Sequence, residues 1–110
     1  MAFHEFGVMK KVPALEEMYE KYDLSLCGET AAVEDDEVHA LWEHFGSIPC
    51  FWHSLQRPAQ GLAYTGITLI PPSSAKNLLD RLLQQEQLCS LKGILHDAWE
   101  KGCYVIHFGI

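Results

Sequence analysis

Between Ile48 and Pro72 the chain carries a single formal charge, Arg57, in a stretch that also holds Phe51, Trp52, His53 and Tyr64. Charged side chains normally keep a connection solvated, so a long apolar segment bounded by Pro49 and Pro71 is either buried or kept for binding. Whatever the flanking segments form must accommodate it. With 48% hydrophobic residues spread along 110 positions, the chain reads as one domain, residues 1–110, with a core that needs neither metal nor disulfides.

The net charge of −7 is unevenly placed. Residues 1–47 hold eleven Asp/Glu against three Lys, a sum of −8, whereas residues 73–110 balance four acids with four bases. Nucleic acid and anionic membrane are therefore excluded as expected partners, since both are bound through Lys and Arg. A basic protein surface is the partner such a charge favours, through steering more than tightness. Met1–Val12 lacks an apolar export signal, no window is as long as a membrane span, and the four cysteines contain no C-x-x-C pair. Free thiols in a reducing cytoplasm are the expectation.

Hydrophobic spacing predicts an α+β domain with a small sheet, strands near 3–9, 62–70 and 103–110, packed against about four helices. Pro13 opens the first helix, with Leu15, Met18, Tyr19 and Tyr22 as its apolar stripe. Asp23–Thr30 reads as a connection. A second helix starts near Asp35 or Asp36, carries Val38, Leu41, Trp42 and Phe45, and stops at Gly46. After the uncharged segment and the strand Leu62–Ile70, Ser73 or Ser74 caps a third helix built on Ala75, Leu78, Leu79, Leu82 and Leu83. A fourth follows with Leu91, Ile94, Leu95, Ala98 and Trp99 inward and Gly102 at its end. Strands 62–70 and 103–110, joined through two helices, are expected to lie parallel and adjacent. If the first or last strand lay at a sheet edge, a homodimer would follow by edge pairing.

No motif assigns a reaction. His39 and His44 lie about 140° apart around a helix, and Cys103 and His107 about 13 Å apart along a strand, so neither pair holds one ion. Cys50 and His53, spaced C-x-x-H, lack a second ligand pair, and no metal or cofactor is expected. The acid pairs Glu16–Glu17 and Asp35–Asp36 are explained by solvation and the helix N-terminus.

Recognition side chains concentrate in one place. Phe51, Trp52, His53, Gln56, Arg57 and Tyr64 are the candidate binding residues, with flat aromatic area and one guanidinium fork for a carboxylate or phosphate. The same residues serve equally as core cover, and aromatics plus arginine are also what interface anchors are made of. The leading expectation is a small acidic protein-interaction or regulatory module binding a basic partner, not an enzyme. The alternative is a site for a small anionic ligand, or a small enzyme, around Cys50, His53, Arg57 and Tyr64.

Overall fold

Six segments with extended backbone come together in one sheet, as a computed structural model of the chain shows; the structure describes residues 2–110. In chain order the elements are β1 (Phe3–Met9), β2 (Cys27–Glu34), α1 (Asp35–Ala40), α2 (Trp42–Phe45), β3 (Pro49–Trp52), β4 (Pro58–Gln60), β5 (Ile67–Ile70), α3 (Pro72–Leu82), α4 (Cys89–Lys101) and β6 (Val105–Phe108). The strand order is β2-β1-β6-β5-β3-β4, and every neighbouring pair is antiparallel.

The period-2 rule sorts the strands onto two faces. On one, Phe6, Val33, Ile70 and Val105 pack under Leu78 and Leu82 of α3 and Leu91, Ile94 and Leu95 of α4. On the other, Met9, Ile67, Leu69, Ile106 and Phe108 form a second apolar layer, covered by Tyr19 and Leu26 and flanked by Phe51 and Leu55. All four residues of β6 are buried, because β6 lies in the sheet interior with a layer on each face. The uncharged segment is folded back on itself at Gly61, which has φ 83° and sits so close to Gly46 that a Cβ would meet its backbone at 2.7 Å. Only glycine fits there without strain.

The expected three-strand sheet with about four packing helices is thus replaced by a six-stranded antiparallel sheet with four short helices. Three differences account for this. First, residues 27–34 form a strand, beginning inside the connection expected over Asp23–Thr30. Cys-Gly-Glu-Thr-Ala-Ala-Val-Glu is poor in β-branched and aromatic residues, and its stability comes from pairing with β1 and burying Ala31 and Val33.

Second, the stripe Leu15, Met18, Tyr19, Tyr22 does not form a helix. Only Tyr19 is buried, while Leu15, Met18 and Tyr22 stay 57%, 49% and 59% exposed. Tertiary hydrogen bonds win over local spacing here: Tyr19 N–H donates to His53 O at 2.8 Å, and His53 Nδ1 bonds Tyr19 O at 2.9 Å.

Third, β5 and β6 are antiparallel, not parallel. Between them lie two helices and therefore three turns, an odd number of reversals, so the returning strand opposes its predecessor. The strand expected over Leu62–Ile70 begins only at Ile67, after a turn closed by Gly66 N–H to Ala63 O. α3 starts at Pro72 with no side-chain cap, Ser74 bonding Pro49 O instead. Leu83 and Trp99, expected inward, are 62% and 45% exposed. Neither β1 nor β6 is an edge strand, so the condition for a homodimer by edge pairing through one of them is not met.

Because β6 separates β1 from β5, deletion of Val105–Ile110 divides the sheet and removes two buried layers at once. The truncated chain is expected to lose its cooperative thermal unfolding transition by circular dichroism; an unchanged transition would contradict the position of β6.

Candidate functional site

Cross-strand register places a polar row in the middle of an apolar face. Thr68 of β5 is directly opposite His107 of β6, and His107 is directly opposite Phe6 of β1. His4, two residues before Phe6, points to the same face. His4, Thr68 and His107 are all fully buried. Nothing in an apolar core solvates an imidazole, so these side chains must satisfy one another.

They do so in one continuous chain. Ala63 N–H donates to Thr68 Oγ1 at 2.8 Å, and Thr68 Oγ1 lies 3.0 Å from His107 Nδ1. His107 Nε2 lies 2.8 Å from His4 Nδ1, and His4 Nε2 lies 2.9 Å from Asp35 Oδ1. Tyr64 O–H donates to the same Asp35 oxygen. The Tyr64 ring packs edge-on to His4, with centroids 5.1 Å apart, and against Trp42 at 5.4 Å. Asp35 opens α1, and its N–H is bonded to Ala2 O. The chain thus joins β5, β6, β1, α1 and the turn before β5.

Donor and acceptor roles follow from the two ends. The Asp35 carboxylate requires His4 to present Nε2–H, which leaves neutral His4 with a bare Nδ1. That nitrogen requires His107 to present Nε2–H, which leaves His107 Nδ1 bare as acceptor for the Thr68 hydroxyl. Thr68, already receiving Ala63 N–H, has its own hydrogen free to give. Every member is satisfied with both imidazoles neutral.

For His107 the electrostatics agree. Burial, with the neighbouring His4, holds His107 down at about 3. Hydrogen bonds from Tyr64 and then His4 hold the Asp35 carboxyl below its ordinary value. The Tyr64 phenol is raised, chiefly by its bond to that carboxylate. Only the Asp35 end reaches the surface, where the Asp35 side chain is 26% exposed. The inner end terminates on a backbone amide. The arrangement holds protons in place.

The six residues expected to bind are distributed differently. Phe51 belongs to the apolar layer opposite the helices. Trp52 donates its indole N–H to Gly61 O at 2.9 Å. His53 has φ 66°, is tied to Tyr19 on both sides, and crowds Gly66. Gln56 and Arg57 are exposed at the β3–β4 turn, where Arg57 makes no ion pair among the described residues. Tyr64 alone of the six joins the histidine chain. The strained backbone of His53 serves the clamp on Tyr19.

Cys50 faces the helix-side core, and burial pushes its thiol up to about 12. His53 reaches to Tyr19 instead, so thiol and imidazole do not meet. A depression of about 570 Å³ between the β3–β4 hairpin and the start of α3 is lined by Pro49, Phe51, Pro58, Gln60, Pro71 and Ser73 among others, none of them charged. Among the described residues, no group of three metal-ligating side chains converges.

Sequence reasoning missed His4, Asp35, Thr68 and His107 as a unit. The available signal was a histidine in each of two strand segments, Phe3–Met9 and Val105–Phe108. A polar ring on the buried face of a strand needs a partner, and two such strands make each other the natural candidate.

No protein-family model, no curated protein and no solved structure matches this chain. The site is therefore read from its own chemistry.

That chemistry sets a pH dependence. Folded His107 takes up a proton only near pH 3, whereas an unfolded imidazole does so near its ordinary 6.5. Between these values the unfolded chain binds more protons, so stability is full above 6.5 and falls as the pH drops toward 3. The lowered Asp35 acts in the same sense at the acid end. His107→Phe leaves the Thr68 hydroxyl hydrogen without an acceptor and His4 Nδ1 without a donor, and urea titrations should show a loss of about 2–5 kcal/mol at neutral pH. The variant should also show a shallower decline in stability from pH 6.5 downward; a wild-type-like stability and slope would contradict the chain of bonds.

Proposed function

We propose that this chain is a small cytoplasmic protein-binding module whose acidic half receives a basic partner protein. The observation that carries the reading is the state of the acids in the folded chain. Among the described residues, Lys76–Asp80 on α3 is the only ion pair made by a lysine or arginine. Among the described residues, the eleven acids of residues 1–47 make no ion pair with a lysine or arginine; two of them, Asp35 and Glu43, face a histidine.

Apart from Asp35, Glu5 and Asp23, which accept hydrogen bonds from other side chains or the backbone, these acids raise the self-repulsion of the folded state. Their use is to attract a positive surface. Glu34, Asp36 and Glu37 stand with Asp35 where β2 passes into α1, forming the densest part of this field. Rim charges of this kind raise association rates at low salt and change dissociation little.

Other features support binding over chemistry. The histidine chain ends on the backbone, Cys50 is buried as a thiol, and the depression beside the β3–β4 hairpin has no charge with which to fix an anion. All four cysteines are free, in keeping with a reducing compartment. No helix is long and apolar enough to cross a membrane.

The test uses charge neutralisation without touching Asp35. Glu34→Gln, Asp36→Asn and Glu37→Gln combined should slow association with a captured basic partner roughly tenfold at low ionic strength. Wild-type association should fall by a similar factor when salt is raised to about 0.5 M. Rates indifferent to both changes, measured by surface plasmon resonance, would sink the reading.

A further inference from the structure

We propose that the outer edge of β2 accepts an extended, lysine- or arginine-bearing segment of the partner as a seventh strand of the sheet. This rests on the acidic-module reading above and adds to it the place and mode of docking.

β2 stands at one end of the strand order and is hydrogen-bonded only to β1. At eight residues it is the longest strand in the sheet. An edge strand leaves about half of its backbone N–H and C=O groups facing outward, a ready template for another chain. Gly28, Glu29, Thr30 and Ala32 are exposed, and three of these four side chains are small enough to leave the backbone open to close approach.

Natural sheets guard such edges with proline, lysine or a very short strand. The opposite edge of this sheet is guarded in that way: β4 has three residues and begins with Pro58, which has no N–H to offer. β2 has no proline, no lysine and no arginine. The contrast between the two edges of one sheet marks β2 as the open one.

Charge identifies the occupant. Glu29 and Glu34 lie in β2, Asp36 and Glu37 follow at once, and no lysine or arginine occurs between Lys21 and Arg57. A second copy would lay one acidic strand, with its following Asp35, Asp36 and Glu37, beside another of the same sign, and the two would repel. A basic strand meets the opposite sign along the same line. Its side chains on the face away from the helices would lie beside Ala32 and near Phe3, which is 46% exposed. An alternation of basic and apolar residues fits this setting.

The test is an NMR titration at low ionic strength with an end-capped eight-residue peptide of alternating Lys and Val, against a twin N-methylated at alternate positions. The expected result is shift changes and slowed amide exchange confined to Gly28–Val33. Binding of the N-methylated twin, and binding of the unmodified peptide to the exposed-edge variant Ala32→Lys, should each be at least tenfold weaker. Equal binding of both peptides, or shifts spread over the acidic surface without protection of β2, overturns the edge assignment and leaves the acidic-module reading in place. No response to either peptide overturns both. Slow exchange on β2 in the peptide-free protein, with a dimer mass by sedimentation, overturns the assignment in favour of a second copy.

Discussion

The hydrogen bond between His4 and His107 is the interaction on which the centre of the fold depends. It joins residues 103 positions apart and lies between the strands that the whole sheet is built around. Without it, His4 Nδ1 and His107 Nε2 would sit in a low-dielectric interior with no partner, at about 1–3 kcal/mol each. With it, the same groups specify register: a one-residue slip of β6 would carry His107 to the opposite face. An apolar pair at these positions would supply burial without that specificity.

The sheet needs the rest of the molecule to close over both faces. α3 and α4 cover one face with a regular leucine stripe. The other is covered by residues 10–26, which achieve it with little regular structure: one buried ring, Tyr19, is locked to the backbone of His53. Tyr22 packs at a tilt against Phe108, ring centroids 5.0 Å apart, and donates its hydroxyl to Glu5. Single anchored aromatics here replace a helix, and the acids between them stay in solvent.

What was legible in the sequence follows from where structure is decided locally. The third and fourth helices and the last strand carry their own periodicity, the acids at Asp35 and Asp36 mark a helix start, and Gly102 ends α4 in the left-handed region as its position suggests. β2 was not legible, because Gly, Glu and Ala carry no strand signal and only pairing with β1 makes them one. Spacing alone made residues 13–22 look helical, and a tertiary clamp on Tyr19 overrode it. Of the candidate site, Tyr64 stood out by chemistry in an uncharged segment. Its partners did not, since Asp35 looked like a helix-start acid and His4 and His107 met only once the order β1-β6-β5 existed. The expected cluster around Arg57 was a cluster in sequence, and the hairpin turns Phe51, His53 and Tyr64 toward three different environments.

Two parts of one account meet at Asp35. Inward it closes the histidine chain, and outward it belongs to the acidic run beside the open edge of β2. The claim that bears the most weight is the proton arrangement, because the neutral, ordered chain fixes both the core and the setting of α1. Nitrogen-15 NMR of the histidine side chains reads it directly. The account predicts His4 and His107 both as Nε2–H tautomers with bare Nδ1 at pH 7, and His107 still neutral at pH 5. A His107 carrying its proton on Nδ1, or one that titrates near 6.5, would contradict it.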